Sequence, residues 1–525
     1  MGLPFEVKQP IHNVVDEAPR FSWGILKRRI GNRMSSENTK VSGVTYKKPE
    51  DGYFEKRQLT RAAGLFGLWG LAVAAVISGD FSGWNFGLDV GGFGGLLIAF
   101  GILVIMYYGL MFSIGEMAAA MPHTGGAYSF ARTAIGPWGG FITGLAETIT
   151  YVATTAVIVF FSASYADGIT SELLGVSLPA WAWWVILYVV FIVLNGSGSN
   201  VAFKFAITVA VISLGIILVF SLMAAFSGLF SWDNLFNIAP NEGQSAFLPF
   251  GWEGILFAIP FAVWFFLGIE ELPLAAEESK DPVKDIPRAG LWARTTLIIT
   301  GLLILFLNTG IVGAEELRVA GEPLLDGFRV MVGDQLAAVL GLIALIGLLA
   351  SLQGIMFAYA RNMYSLSRAG YYPKGLSVTN SKNVPLVSLI VGGLIGFAAL
   401  LAIEILTAVD AEGAGAVAGA IVLNIAVWGA MLAYMMQAVS FLILRRKLPN
   451  LKRPYMSPWG VPGAVAAAVI AGIAFVGYLI NPAFQTAIAG IAVIYVIMLI
   501  IFAVYGRHNL VMSPEEEYAI KNNKK

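Results

Sequence analysis

Twelve apolar stretches, separated by polar links, occupy most of this chain, and each approaches or exceeds the roughly 20 residues a helix needs to cross a bilayer. They run over 62–90, 94–120, 137–166, 179–197, 200–228, 252–279, 289–314, 335–366, 385–405, 415–444, 461–480 and 484–506. Two of them are interrupted. The first holds Ala74-Ala75-Val76-Ile77-Ser78-Gly79-Asp80-Phe81-Ser82-Gly83-Trp84-Asn85, in which two Ser-Gly-type pairs surround one carboxylate. The sixth holds Trp264-Phe265-Phe266-Leu267-Gly268-Ile269-Glu270-Glu271-Leu272-Pro273. Its proline removes a backbone donor and clashes with the preceding turn.

A charge at bilayer depth is costly unless it lines a cavity or meets a partner. Non-helical backbone survives there only where it faces protein or water. Both breaks therefore read as unwound backbone turned toward a central site. They lie five spans apart and enter from opposite sides, and matching interruptions in two halves point to an inverted-repeat transporter with its site at the midplane.

Composition restricts the class. The chain of 525 residues is 57% hydrophobic and only 13% charged, against about 25% charged in soluble domains. That excludes a soluble fold and leaves a polytopic membrane protein. The net charge of zero hides a segregation. With the N-terminus placed in the cytoplasm, all basic residues but Arg318 and Arg329 fall in cytoplasmic tails and loops or near the cytoplasmic ends of spans. The positive-inside rule produces this asymmetry and a miscounted span would scramble it, so both termini are expected in the cytoplasm and the protein in the cell membrane. The expected organisation is a tail over 1–58, a transport core over 59–444, two further helices over 445–507 and a second tail over 508–525. No signal peptide is expected, since residues 1–58 are polar and lack an apolar h-region. Within the first tail, Arg20 to Met34 spaces Trp23, Leu26, Ile30 and Met34 at helical intervals beside five basic residues, which suits either an interfacial helix or a flexible tail. There is no cysteine, and His12, His123 and His508 lie outside the apolar spans. Thiol chemistry is excluded and no metal set is expected. Neither a nucleophile–base pair nor a nucleic-acid partner is expected, so the reading is not an enzyme. Gly413 to Gly419 has the look of a dinucleotide loop, but no strand precedes it, and small-residue helix packing explains it.

Three segments resemble the amino acid–polyamine–organocation superfamily of permeases. Ser78-Gly79-Asp80-Phe81 is similar to its Ser-Gly-Ile-Phe break in helix one. Glu116 to Gly144 (EMAAAMPHTGGAYSFARTAIGPWGGFITG) is similar to its signature between helices two and three. Phe266 to Ala289 (FLGIEELPLAAEESKDPVKDIPRA) matches its Phe-x-Gly-Phe-Glu break and the loop beyond, and Arg361 to Pro373 (RNMYSLSRAGYYP) is a weaker fourth match. Tyr53 to Leu59 (YFEKRQL) and Val76 to Leu88 (VISGDFSGWNFGL) resemble the bacterial ethanolamine permease subgroup. The resemblance implies a leucine-transporter-like fold of two inverted five-helix repeats plus helices eleven and twelve. It also implies import of a small amine by alternating access, driven by an ion gradient or by exchange.

The site chemistry agrees with an amine. In this fold, half-helix ends hold a substrate carboxylate with free N–H groups. Asp80 in the break reverses that preference, repelling an acid and attracting an ammonium; the alternative role for Asp80 is capping of the second half-helix. Ser78, Gly79 and Phe81 are expected to line the same break. Glu270, with Glu271 beside it, is expected at the second break, where two buried carboxylates do not both ionise easily and one suits a proton-coupled step. Equally, Glu270 could bond the exposed backbone there, beside Gly268. Glu147 and Tyr151, at similar depth in span three, complete an acidic ring or a buried structural pair. The resemblance makes Trp264 and Phe266 aromatic lids, whose faces attract a cation. Trp84 and Asn85 are expected to line an outer vestibule. Glu278, Lys280, Lys284 and Arg288 are expected to form a hinge pairing with the loop of Arg132. For coupling, proton-driven relatives carry a lysine partway along helix five, where this chain has Ser213, and sodium-driven ones use hydroxyls on helix eight, where it has Ser351. Sodium, proton and exchange all stay open. The bound partners expected are a small amine substrate and the lipid bilayer, with no cofactor beyond Na+ or H+. The alternatives are a neutral amino acid or γ-aminobutyrate permease and, in a different class, a membrane substrate sensor. Oligomeric state is not legible.

Overall fold

The computed structural model describes residues 39–408, 414–480 and 485–511, apart from positions 42, 48, 51, 52 and 55. The Arg20–Met34 stretch, Gly413 and most of the C-terminal tail lie outside the described residues. Fourteen longer helices carry the architecture. They are α1 (Leu65–Val76), α2 (Phe86–Ala120), α3 (Gly126–Ala134), α4 (Pro137–Leu174), α5 (Ala180–Gly196), α6 (Ser199–Phe226), α7 (Gly251–Val263), α8 (Pro282–Val312), α9 (Pro323–Val332), α10 (Asp334–Arg368), α11 (Leu386–Ala408), α12 (Ala414–Lys447), α13 (Gly460–Ile480) and α14 (Gln485–Val504). Among the described residues, nine helices are long and apolar enough to cross a membrane. The shorter apolar helices Leu65–Phe81, Ala180–Gly196 and Gly251–Val263 complete the expected twelve.

Two of those three are short because they are halves. α1 ends at Val76, is followed by one turn over Ser78–Phe81, and resumes at Phe86. α2 is bent at Gly92, which separates the end of the first span from the second. α7 stops at Val263, and the sixth span continues as 3₁₀ turns over Ile269–Glu278. The seventh span begins earlier than its hydropathy suggests, at Pro282, because a proline at the first helical position forfeits an N–H that has no partner there anyway.

Packing follows the inverted repeat. α4 packs on α10 and α12, while α10 packs on α4 and α6. α2 packs on α7, and its counterpart α8 packs on α1. α11 lies against α5. Third and eighth spans, second and seventh, fourth and ninth thus occupy equivalent places. The membrane bundle is all-helical, leucine-transporter-like, with helices one and six broken and α13 and α14 added outside.

The two ends of the bundle differ. At the basic end, strands β1 (Thr39–Val41) and β2 (Val44–Tyr46) form a hairpin. Tyr46 bridges to Leu510, and Ala63 pairs with Ser279, so the strap entering α1 is stitched to the exit of the sixth span. At the acidic end, the segment 314–332 lies over the first break: Asn85 donates to the carbonyls of Leu317 (2.7 Å) and Ala320 (2.8 Å). Asn85 and Trp84 are fully buried. They do not line an open vestibule, because the amide of Asn85 is taken up in anchoring that cover and Trp84 stacks near Phe265 at 5.8 Å.

Candidate functional site

The site is built where the two breaks cross. In an unbroken helix the N–H of Ser78 would bond the carbonyl of Ala74. Instead the hydroxyl of Ser351, on α10, is inserted between them. It accepts from Ser78 N at 2.8 Å and donates to Ala74 O at 2.7 Å. A side chain inserted into the ladder is a recognised cause of a kink, and here it also satisfies both groups that the break frees. Ser351 thus stands against the first break, as expected. Beyond the break, the Tyr165 hydroxyl donates to Phe81 O at 2.8 Å. Gly79 abuts the other broken helix: a Cβ there would lie 2.3 Å from the carbonyl oxygen of Trp264. The second break turns at Gly268, whose φ of 112° is open to glycine and strained for other residues. The amide of Gly268 donates to Glu270 Oε2 at 3.0 Å, so one role of Glu270 is to hold the shape of its own break.

Glu270 is also the hub of a buried polar cluster. Tyr151 on α4 and Tyr434 on α12 lie beside it, and Glu147 and Glu271 are within electrostatic reach. Tyr107 on α2 donates to or accepts from the Tyr434 hydroxyl at 3.2 Å. Glu147 accepts from Asn362 Nδ2 at 3.0 Å, and Asn362 in turn accepts from Thr148 at 2.7 Å. Phe266 sits between the rings of Phe100 and Tyr107, each with its centroid at 5.0 Å. Trp264 is buried, with its indole N–H unpartnered. Asp80 is not part of this cluster. Its carboxylate is 1% exposed, both oxygens lack a hydrogen-bond partner, and its polar neighbour is Thr300 on α8. The Ser213 hydroxyl is bonded within its own helix, to Val209 O at 2.6 Å.

Tyr107, Tyr434, Asn362 and Thr300 escape the sequence reading. The available signal was a polar side chain inside an apolar span, but many such residues merely back-bond along their helix, as Thr143 and Thr150 do.

A second buried layer closes the basic end. Arg361 on α10 forms a two-pronged ion pair with Glu278, from Nε to Oε2 at 3.0 Å and from Nη2 to Oε1 at 2.9 Å. Ser199, at the start of α6, also donates to Glu278. Next to it Arg368 pairs with Glu277, beside His123. The hinge meets the loop leading into α3 through Glu277, whose N–H donates to Thr124 Oγ1 at 3.2 Å and whose carboxylate lies 3.9 Å from His123 Nε2, whereas Glu278 faces inward to a buried guanidinium. Arg132 donates to Val511 O at 3.0 Å, and Lys284 pairs with Asp281 of its own turn at 3.3 Å.

A bundle of this fold, with two broken helices meeting beside buried carboxylates and a closed layer beneath, has the build of a transporter, multi-pass in the membrane and acting on a small molecule. The chain belongs to the amino acid permease family, whose model matches residues 67–514. A putative histidine permease of Bacillus subtilis is 25% identical over 402 residues, covering 74% of this chain and 81% of the relative. The branched-chain amino acid permease of the same organism is 24% identical over 475 residues, covering 86% and 94%. An uncharacterized transporter of Rhizobium meliloti is 27% identical over 322 residues, covering 61% and 68%. Among solved structures, a manganese transporter mutant of Eremococcus coleocola aligns with a TM-score of 0.55 at 15% identity, covering 90% of this chain and 99% of that one. At that identity the likeness concerns the fold alone.

Proposed function

We propose that this permease imports a small organic amine, ethanolamine first, by alternating access, with its basic end in the cytoplasm. The observation that carries the reading is Asp80: a carboxylate at the helix-one break, buried, with both oxygens unpartnered. A buried ionised carboxylate without a partner is costly, and an ammonium supplies the missing charge and N–H donors. The cluster beyond it adds Glu147, Glu270 and Glu271, while Arg361 is already committed to Glu278. This surplus of acid favours a cation and opposes a second carboxylate in the substrate. Trp264 and Phe266 supply aromatic faces near the crossing, which attract an ammonium by about 0.5–2 kcal/mol. The orientation rests on the positive-inside asymmetry of the loops. Sodium or proton coupling stands as part of the proposal, with Ser351, Glu270 and Glu271 as its candidate groups.

The named relatives, a putative histidine permease and a branched-chain amino acid permease, favour a second reading, an amino acid carrier. Uptake of radiolabelled ethanolamine into proteoliposomes, with amino acids as competitors, separates the two. The amine reading expects uptake indifferent to amino acids and lost in Asp80→Asn. Normal ethanolamine uptake by Asp80→Asn would overturn the role given to that carboxylate.

A further inference from the structure

We propose that Glu271 is the group through which this carrier releases a proton to the cytoplasm, by competing with Glu278 for Arg361. The proposal rests on the alternating-access reading above and not on the identity of the substrate.

The geometry leaves two complementary groups unmatched. Arg361 gives Nε and Nη2 to Glu278, and its Nη1 is buried without a partner. Glu271 is 1% exposed, and neither of its oxygens has a hydrogen-bond partner. Arg361 lies within electrostatic reach of it. Both glutamates ride on the same segment, Ile269–Glu278, which runs as 3₁₀ turns for 10 residues with Pro273 inside. Such runs rarely exceed three or four residues, and long ones mark hinges or strain.

One guanidinium cannot neutralise two carboxylates. With Glu278 paired, an ionised Glu271 would be a buried charge with neither ion partner nor hydrogen bond, next to the like-charged Glu270. Glu271 therefore carries its proton while this end is shut. The other groups around it do not change that balance. Tyr151 faces it from α4, and Tyr107 of α2 faces Glu270. α1 has no titratable side chain over Leu65–Val76. Arg132 of α3 reaches Val511, and Arg294 of α8 stacks 3.5 Å over the Tyr108 ring.

Opening the basic end draws Glu278 into water. Arg361 is then free, the O–H of Glu271 breaks, the proton passes to cytoplasmic water, and the carboxylate left behind takes Arg361. Reprotonation returns Arg361 to Glu278 and shuts the end. No covalent change other than this one proton transfer is involved.

The absence of cysteine makes a direct test simple. Ala276→Cys places a thiol on the hinge at a site 2% exposed in the shut state. Its labelling by a maleimide in membranes, divided at each pH by the rate for the detergent-unfolded chain, reports opening without any substrate. The expected result is faster labelling as pH rises from 6 to 8, by at most about tenfold per pH unit for one linked proton. Adding Glu271→Gln should leave labelling slow and independent of pH, whereas adding Glu278→Gln should leave it fast throughout. Failure of the amine reading would leave this result untouched. An unchanged pH dependence in the Glu271→Gln background, or none in its presence or absence, would overturn the proposal.

Discussion

Replacing Ser351 by alanine tests whether one hydroxyl creates the first break. The residue makes two buried hydrogen bonds, accepting from Ser78 N at 2.8 Å and donating to Ala74 O at 2.7 Å. Removing it strands an N–H and a carbonyl, and leaving a buried group unsatisfied costs about 1–3 kcal/mol. The chain has one escape: closing the ladder directly from Ser78 to Ala74. That recovers a hydrogen bond but straightens helix one and moves Asp80. A net loss of about 1–3 kcal/mol in the broken conformation shifts its equilibrium against the straightened one by about 5- to 150-fold. The assay is a melting curve in detergent by tryptophan fluorescence, with and without sodium, alongside initial uptake rates in proteoliposomes. Ser351→Ala should melt earlier in both salts and take up substrate at least about fivefold more slowly. Ser351→Thr, which keeps the hydroxyl, should recover part of both. Equal melting and uptake to the native chain in sodium-free buffer would refute the wedge. A defect seen only in sodium would make Ser351 an ion ligand instead.

Gly79→Ala should lower uptake and melting temperature, because its Cβ would lie 2.3 Å from Trp264 O and 2.9 Å from Trp264 C, overpacking that costs about 1–3 kcal/mol. Gly64→Ala, where nothing lies within 4 Å of the added atom, is the control and should behave as the native chain in the same two assays. Arg329 at the acidic end pairs with Glu172, Glu322 at 3.1 Å and Asp326 at 2.7 Å. Burial pushes the carboxyls of Glu322 and Asp326 up from their ordinary values, while Arg329 pulls them down. A carboxyl whose folded value is raised binds its proton more tightly folded than unfolded, so lowering the pH through that window stabilises the fold. Arg329→Met removes the opposing cation, and its melting temperature should climb as pH falls from 7 to 5 by more than the native chain's; a flat or falling profile would contradict this.

The spans were legible because a bilayer leaves little choice: every backbone group must be satisfied within a helix, so length and hydropathy decide. The breaks were legible for the converse reason, since Gly79, Asp80, Gly268 and Glu270 are costly in lipid and informative there. What the chain could not disclose was pairing. Glu278 reads as one more charge in a basic loop, and only the fold shows that its partner is Arg361, 83 positions on. Asn85 looks like a vestibule residue until the cover segment closes over it. The acidic ring expected around one substrate also divides. Glu147, Glu270 and Glu271 share a cluster with Tyr151, whereas Asp80 sits toward α8 and Thr300.

That division has a mechanical meaning. Asp80 belongs to the half of helix one that is tied to the cover at the acidic end through Asn85, and to α4 through Tyr165 on Phe81. Glu271 belongs to the half of helix six tied to the closure at the basic end, through Glu278 and Arg361. On the proposed reading, the group that meets an incoming ammonium is thus built into one closure, and the group that sheds a proton is built into the other. The two broken helices touch at Gly79 and Trp264, on the α7 side of the second break, where backbone meets backbone. A movement of either broken helix is therefore transmitted to the other at that contact, because close-packed backbone cannot yield as a flexible side chain can. Coupling between substrate and ion, on this view, needs no shared ligand; it needs the crossing to stay tight, and for that reason Gly79→Ala should damage coupled uptake more than it damages stability.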